Sequence, residues 1–148
     1  RTYLEEKWHK SQEICAPEDI LSIAAGQIKL ENEALKRANK IIFCDTTLLS
    51  TQVYSEAYFD GWCHKKVVQA NKKNRYDLYF LTDIDVPWEK DLLRDRPNQR
   101  EEMFHKFATG LKRCNLTYTL LSGSQEQRMK CAIEKLDELY ETHIYAKR

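Results

Sequence analysis

Residues 76–88 read YDLYFLTDIDVPW. Leu78-Tyr79-Phe80-Leu81 is a short apolar run that leads into two carboxylates, Asp83 and Asp85, and Pro87 ends the extended segment. Buried strands of parallel sheets are short apolar runs bounded by polar residues. Two other runs have this form. Ile41-Ile42-Phe43-Cys44 lies between Lys40 and Asp45, and Thr117 to Leu121 runs into Ser122-Gly123.

Helical patterns separate the three runs. Pro17, Glu18 and Asp19 open a helix to about Arg37, with proline in the first turn and acids at the positive dipole end. Ile20, Ile23, Ala24 and Ile28 mark its apolar side. Leu48 to Phe59 and His64 to Lys72 read as two further helices. NQREEMFHKFATGLKRC, residues 98–114, places Met103, Phe104, Phe107 and Leu111 at helical spacing. Ser124 caps a closing helix that is expected to bury Met129, Ala132, Ile133, Leu136 and Tyr140. Helices alternating with short apolar strands predict an α/β layered sheet, largely parallel, with helices on both faces. No repeat or Pro/Gly-rich linker divides residues 1–148, which read as a single domain.

Composition narrows the function classes. The formal net charge is +1, so bulk attraction to nucleic acid or a membrane surface is not expected, and any anion must be held by a local basic cluster. No apolar run approaches the roughly 18 residues of a membrane span. Five cysteines, odd in number and with no C-x-x-C pair, read as reduced thiols in a cytoplasmic protein. The four histidines are scattered, and neighbouring Cys63 and His64 point in different directions on any regular element, which argues against zinc.

Open α/β sheets collect ligands at the carboxyl ends of their strands. Here those ends carry Asp45, then Asp83 and Asp85, then Ser122-Gly123. Asp45 has a second reading, as the cap of the next helix together with Thr46 and Thr47.

Six stretches then occur in order: RTYLEE (1–6), IAAGQ (23–27), FCDTT (43–47), YDLYFLTDIDVPW (76–88), LRDRPNQREEMF (93–104) and LLSGSQEQR (120–128). Together they resemble the nicotinamide riboside kinase domain of NadR-type proteins, a P-loop kinase family with a nucleotide-kinase-like fold. The resemblance implies ATP-dependent phosphorylation of nicotinamide riboside to nicotinamide mononucleotide, with ATP and Mg²⁺ as cofactors and a small nucleoside as acceptor. Two departures stand out. The phosphate loop G-x-x-x-x-G-K-[ST] is not present among the four glycines at 26, 61, 110 and 123, so the chain is read as the part of such a kinase that follows the loop. Leu92 stands where the family usually has glycine before Leu-Arg.

By this resemblance Asp45 takes the Walker B position, as a Mg²⁺ ligand, a base toward the acceptor hydroxyl, or both. Arg94, Arg96 and Arg100, in the charged segment after Trp88, are expected to reach the transferring phosphoryl group. The alternative is a solvated loop with local pairs to Asp91 and Asp95. Trp88, Tyr54 and Tyr58 are candidates for holding the pyridinium ring by cation–π contact, and Tyr54 and Tyr58 share a helix face. Asp83, Asp85 and Gln27 are candidate substrate contacts. Ser122, Gly123 and Arg128 match the segment beside the adenine, where glycine allows close approach of a flat ring. Two other readings stay open: a kinase for another nucleoside or small hydroxyl compound, and a non-catalytic ATP- or GTP-binding regulatory module.

Overall fold

The computed structural model describes residues 2–11, 15–87 and 99–145. Eight elements follow in chain order: α1 (Thr2–Ser11), α2 (Asp19–Arg37), α3 (Leu48–Tyr58), α4 (Lys65–Lys73), β1 (Phe80–Thr82), α5 (Arg100–Arg113), β2 (Thr119–Leu121) and α6 (Gln125–Tyr145). They fall into two compact units, Arg1–Arg75 and Tyr76–Arg148.

The described elements of the first unit are all helical. Ile20 and Ala24 of α2, Leu48 of α3 and Val67 of α4 form one apolar cluster, with Cys15, Phe59, Cys63 and Ala70 packed against it. Leu48 and Val67 are each 1% exposed. The predicted α2 stripe therefore holds at Ile20 and Ala24, while Ile28 lies at the exposed edge. Polar groups on the buried side of α3 find partners among themselves, as burial demands. Asn71 Nδ2 donates to Gln52 Oε1 at 2.9 Å, and the fully buried Ser55 hydroxyl donates to the Trp62 carbonyl at 2.8 Å. Asp19, 7% exposed, accepts from Tyr3 Oη at 2.8 Å, Lys7 Nζ at 2.6 Å and the Ala16 amide at 2.8 Å. That carboxylate thus ties α1 to the start of α2.

The second unit is built on a two-stranded parallel ladder that pairs Phe80 with Thr119, Leu81 with Leu120 and Thr82 with Leu121. Parallel strands require a crossover connection, and here it carries α5. The ladder is bounded by bonds from the Thr119 amide to the Tyr79 carbonyl and from the Asp83 amide to the Leu121 carbonyl. Both strands begin later than the apolar runs that announced them, because a strand extends only as far as its partner's hydrogen bonds.

Two expectations are corrected. Residues 41–44 form no strand among the described residues, and Ile41 is 41% and Phe43 73% exposed. An extended run becomes a strand only when its backbone groups pair, and the other described elements of its unit are helices. In α6 the expected inward stripe is incomplete. Ala132, Leu136 and Tyr140 are half-buried, but Met129 and Ile133 are exposed. Helical spacing marks the apolar side of a helix and does not by itself supply a surface that covers it.

Candidate functional site: the carboxyl ends of the parallel strands

The β1 and β2 strands end side by side. The chain leaving β1 carries Asp83 and Asp85, and the chain leaving β2 carries Ser122 and Gly123 before α6 begins. Gly123 has φ of +85°, a left-handed conformation that glycine adopts at no steric cost. That turn aims its amide at Asp85, and the amide donates to Asp85 Oδ2 at 2.5 Å. Beyond it, Ser124 and Gln127 form a reciprocal capping box. The Gln127 amide donates to Ser124 Oγ at 3.3 Å, and the Ser124 amide donates to Gln127 Oε1 at 2.7 Å.

Arg128 stands one turn into α6, where the helix dipole disfavours a cation. It is held there by three acceptors. Its Nη2 donates to Asp85 Oδ1 and, at 3.4 Å, to the Asp83 carbonyl, while Nε donates to the Gly123 carbonyl at 2.9 Å. The side chain of Arg128 is 15% exposed and that of Asp85 37%. The Gly123 amide bond is the largest influence on the Asp85 carboxyl and lowers its pKa; partial desolvation works against it, and Arg128 adds to the lowering. Arg100, at the start of α5, donates from Nη2 to the Val86 carbonyl at 2.7 Å. The 83–87 segment is therefore anchored from the starts of both described helices of its unit.

The first unit holds the other candidates. Asp45 is exposed, and among the described residues its carboxylate has no hydrogen-bond or ion-pair partner. It does not cap α3. Thr47 does, accepting from the Ser50 amide at 3.4 Å while Ser50 Oγ accepts from the Thr47 amide at 3.1 Å. Between them Thr46 adopts φ of +68°, a strained conformation for a β-branched residue. Tyr54 and Tyr58 are exposed on α3 with ring centroids 6.4 Å apart. Gln27 is engaged within its unit. Its Oε1 accepts from Thr51 Oγ1 at 3.1 Å, and its Nε2 donates to Glu31 Oε1 at 3.3 Å.

The structure thus brings Asp83, Asp85, Gly123 and Arg128 together, with Ser122 beside them, and joins Arg100 to the same segment. Trp88, Arg94 and Arg96 lie outside the described residues. Three features had no sequence reading: the Asp85–Arg128 pair, the strain at Thr46 and the exposed Trp62. The pair left no local trace, because its members are 43 residues apart. Trp62 had one, the Asp60-Gly61 turn with φ of +48° and +82° that presents the indole at 42% exposure.

A family described as AAA domain matches residues 1–128. The chain belongs to that family. An AAA domain is P-loop NTPase-like, and helices around a small parallel sheet fit the α/β kinase-like fold class. Two curated relatives, the trifunctional NAD biosynthesis/regulator proteins NadR of Salmonella typhimurium strain LT2 and Escherichia coli strain K12, are each 36% identical over 76 residues. The aligned stretch is 51% of this chain and 18% of either relative. This AAA domain therefore spans less than a fifth of the length of the relatives it matches. Among its described residues no helix is long and apolar enough to cross a membrane.

Proposed function

We propose that this AAA domain contributes acceptor- and nucleotide-facing parts of a kinase that transfers the γ-phosphoryl group of ATP to the 5′-hydroxyl of nicotinamide riboside. The observation that carries the reading is the convergence of Asp83, Asp85, Gly123 and Arg128 at the carboxyl ends of two parallel strands, where α/β sheets hold their ligands. Identity with NAD biosynthesis proteins favours the acceptor.

In this reading the turn at Gly123 offers a backbone surface without a side chain to the adenine. Asp83, at the same strand ends, is the contact proposed for the acceptor ribose. The resemblance gives Arg94, Arg96 and Arg100 the transferring phosphoryl group as their partner. No group of three or more metal-ligating side chains occurs among the described residues. Mg²⁺ needs fewer, since it keeps several waters and takes one or two carboxylates plus substrate phosphates. Asp45, exposed and unpartnered among the described residues, fits that role. Bound Mg²⁺ would supply charge neutralisation at the phosphate oxygens. Asp45 would orient it or accept the proton of the attacking hydroxyl. Residues 1–148 contain no G-x-x-x-x-G-K-[ST], so the 148-residue chain alone is expected to turn over little.

The test is coupled ATP consumption by the intact protein with nicotinamide riboside against a panel of nucleosides, in wild type and Asp45→Asn. Nicotinamide riboside should be the preferred acceptor. Asp45→Asn should lower kcat by about a hundredfold or more, with thermal stability unchanged. Nucleotide binding without product from any acceptor would instead establish a regulatory module.

A further inference from the structure

Asp85 and Arg128 invite reading as ligand contacts, one for the acceptor and one for the nucleotide. Their geometry gives them a further task. Each oxygen of the Asp85 carboxylate accepts a bond from within the unit, one from the Gly123 amide and one from Arg128. Arg128 donates to three acceptors that belong to two different loops: the Asp85 carboxylate and the Asp83 carbonyl after β1, and the Gly123 carbonyl after β2. A planar guanidinium fork can hold such a set at once, and an ammonium cannot. The far end of the first loop is pinned separately, by Arg100 on the Val86 carbonyl.

We propose that Asp85 and Arg128 are positioning residues that lock the loop after β1 to the glycine turn after β2, so that acceptor and nucleotide binding are linked. The assignment rests on the kinase reading for its two ligands, but not for the lock itself. A nucleotide seated against the Gly123 turn fixes that backbone. The fixed turn holds the Asp85 carboxylate and with it the 83–87 segment that faces the acceptor. Linkage is reciprocal, so the acceptor must raise nucleotide affinity by the same factor.

The test uses the intact protein as wild type, Asp85→Asn, Arg128→Gln, the double variant and Arg128→Lys. Amide exchange at Gly123 is followed without ligand. Affinities for a non-hydrolysable ATP analogue with Mg²⁺ and for nicotinamide riboside are titrated separately and together. Each single variant should speed Gly123 exchange by about tenfold, the scale of losing a charge-assisted bond, and the double variant should go no further. Arg128→Lys should fall between wild type and Arg128→Gln. In wild type each ligand should tighten the other severalfold, and this mutual effect should vanish in both single variants.

Three results would overturn the proposal: unchanged Gly123 exchange in Asp85→Asn, wild-type ligands that bind independently, or variants that each bind one ligand more weakly and keep the linkage. If wild type binds neither ligand, the kinase reading fails, and Gly123 exchange alone decides the lock. Acceleration in both single variants supports it, and no acceleration removes it.

Discussion

Substituting Gly123 by alanine probes the strand-end turn at the atom where its geometry is tightest. With φ of +85°, any L side chain there is strained, at about 1–2 kcal/mol. A Cβ would also lie 2.3 Å from Gln127 Oε1. Gln127 is flexible and can move aside, so the overlap itself adds little. Moving it, however, breaks the bond that satisfies the Ser124 amide and removes half of the α6 capping box, at about 1 kcal/mol. Gly123→Ala should therefore destabilise by about 2–3 kcal/mol, a fall in Tm of roughly 10 °C for a unit of this size. Thermal and urea melts of Gly123→Ala, Gln127→Ala and the double variant measure it. The cap contribution is lost only once, so the double variant should fall short of the sum of the singles by about 1 kcal/mol. Stability of Gly123→Ala within about 0.5 kcal/mol of wild type would refute the argument, and full additivity would show that the new methyl leaves Gln127 in place.

Leu48→Ala, at the centre of the helical unit, should cost about 3 kcal/mol in urea melts; a loss below 1 kcal/mol, roughly the range of surface changes, would place the core elsewhere. Thr46→Asn should raise stability by roughly 1 kcal/mol, since asparagine tolerates the left-handed region that threonine resists. A drop would mean that Thr46 is not strained. Burial pushes the Asp19 carboxyl up, but bonds from Lys7, the Ala16 amide and Tyr3 outweigh it and leave the pKa below the ordinary value. Its contribution is thus complete above the unfolded carboxyl's pKa and is lost as pH falls through the lower folded value. Wild type should converge with Asp19→Asn as pH falls below about 4, and a stability gap that persists into strong acid would contradict this.

Much of the fold was legible in the residues because the information was local. The helix over 19–37 follows from Asp19 in its first turn and from the apolar spacing of Ile20 and Ala24. The α6 start follows from Ser124 and Gln127, three residues apart. The two strands among the described residues are announced by apolar runs ending on polar groups, and the same pattern puts Asp83, Asp85 and Gly123 at strand ends. Three outcomes belonged to tertiary structure alone. The run Ile41–Cys44 has the composition of a strand, yet a strand requires a partner, and the described elements of its unit are helices. Met129 and Ile133 carry helical periodicity, but periodicity says which side of a helix is apolar and not whether anything covers it. The Asp85–Arg128 pair joins residues 43 apart in sequence, and only the parallel register of Phe80 with Thr119 brings their loops within bonding distance. Spacing rules reach about one helical turn; contacts across a crossover connection are set by the packing that closes it.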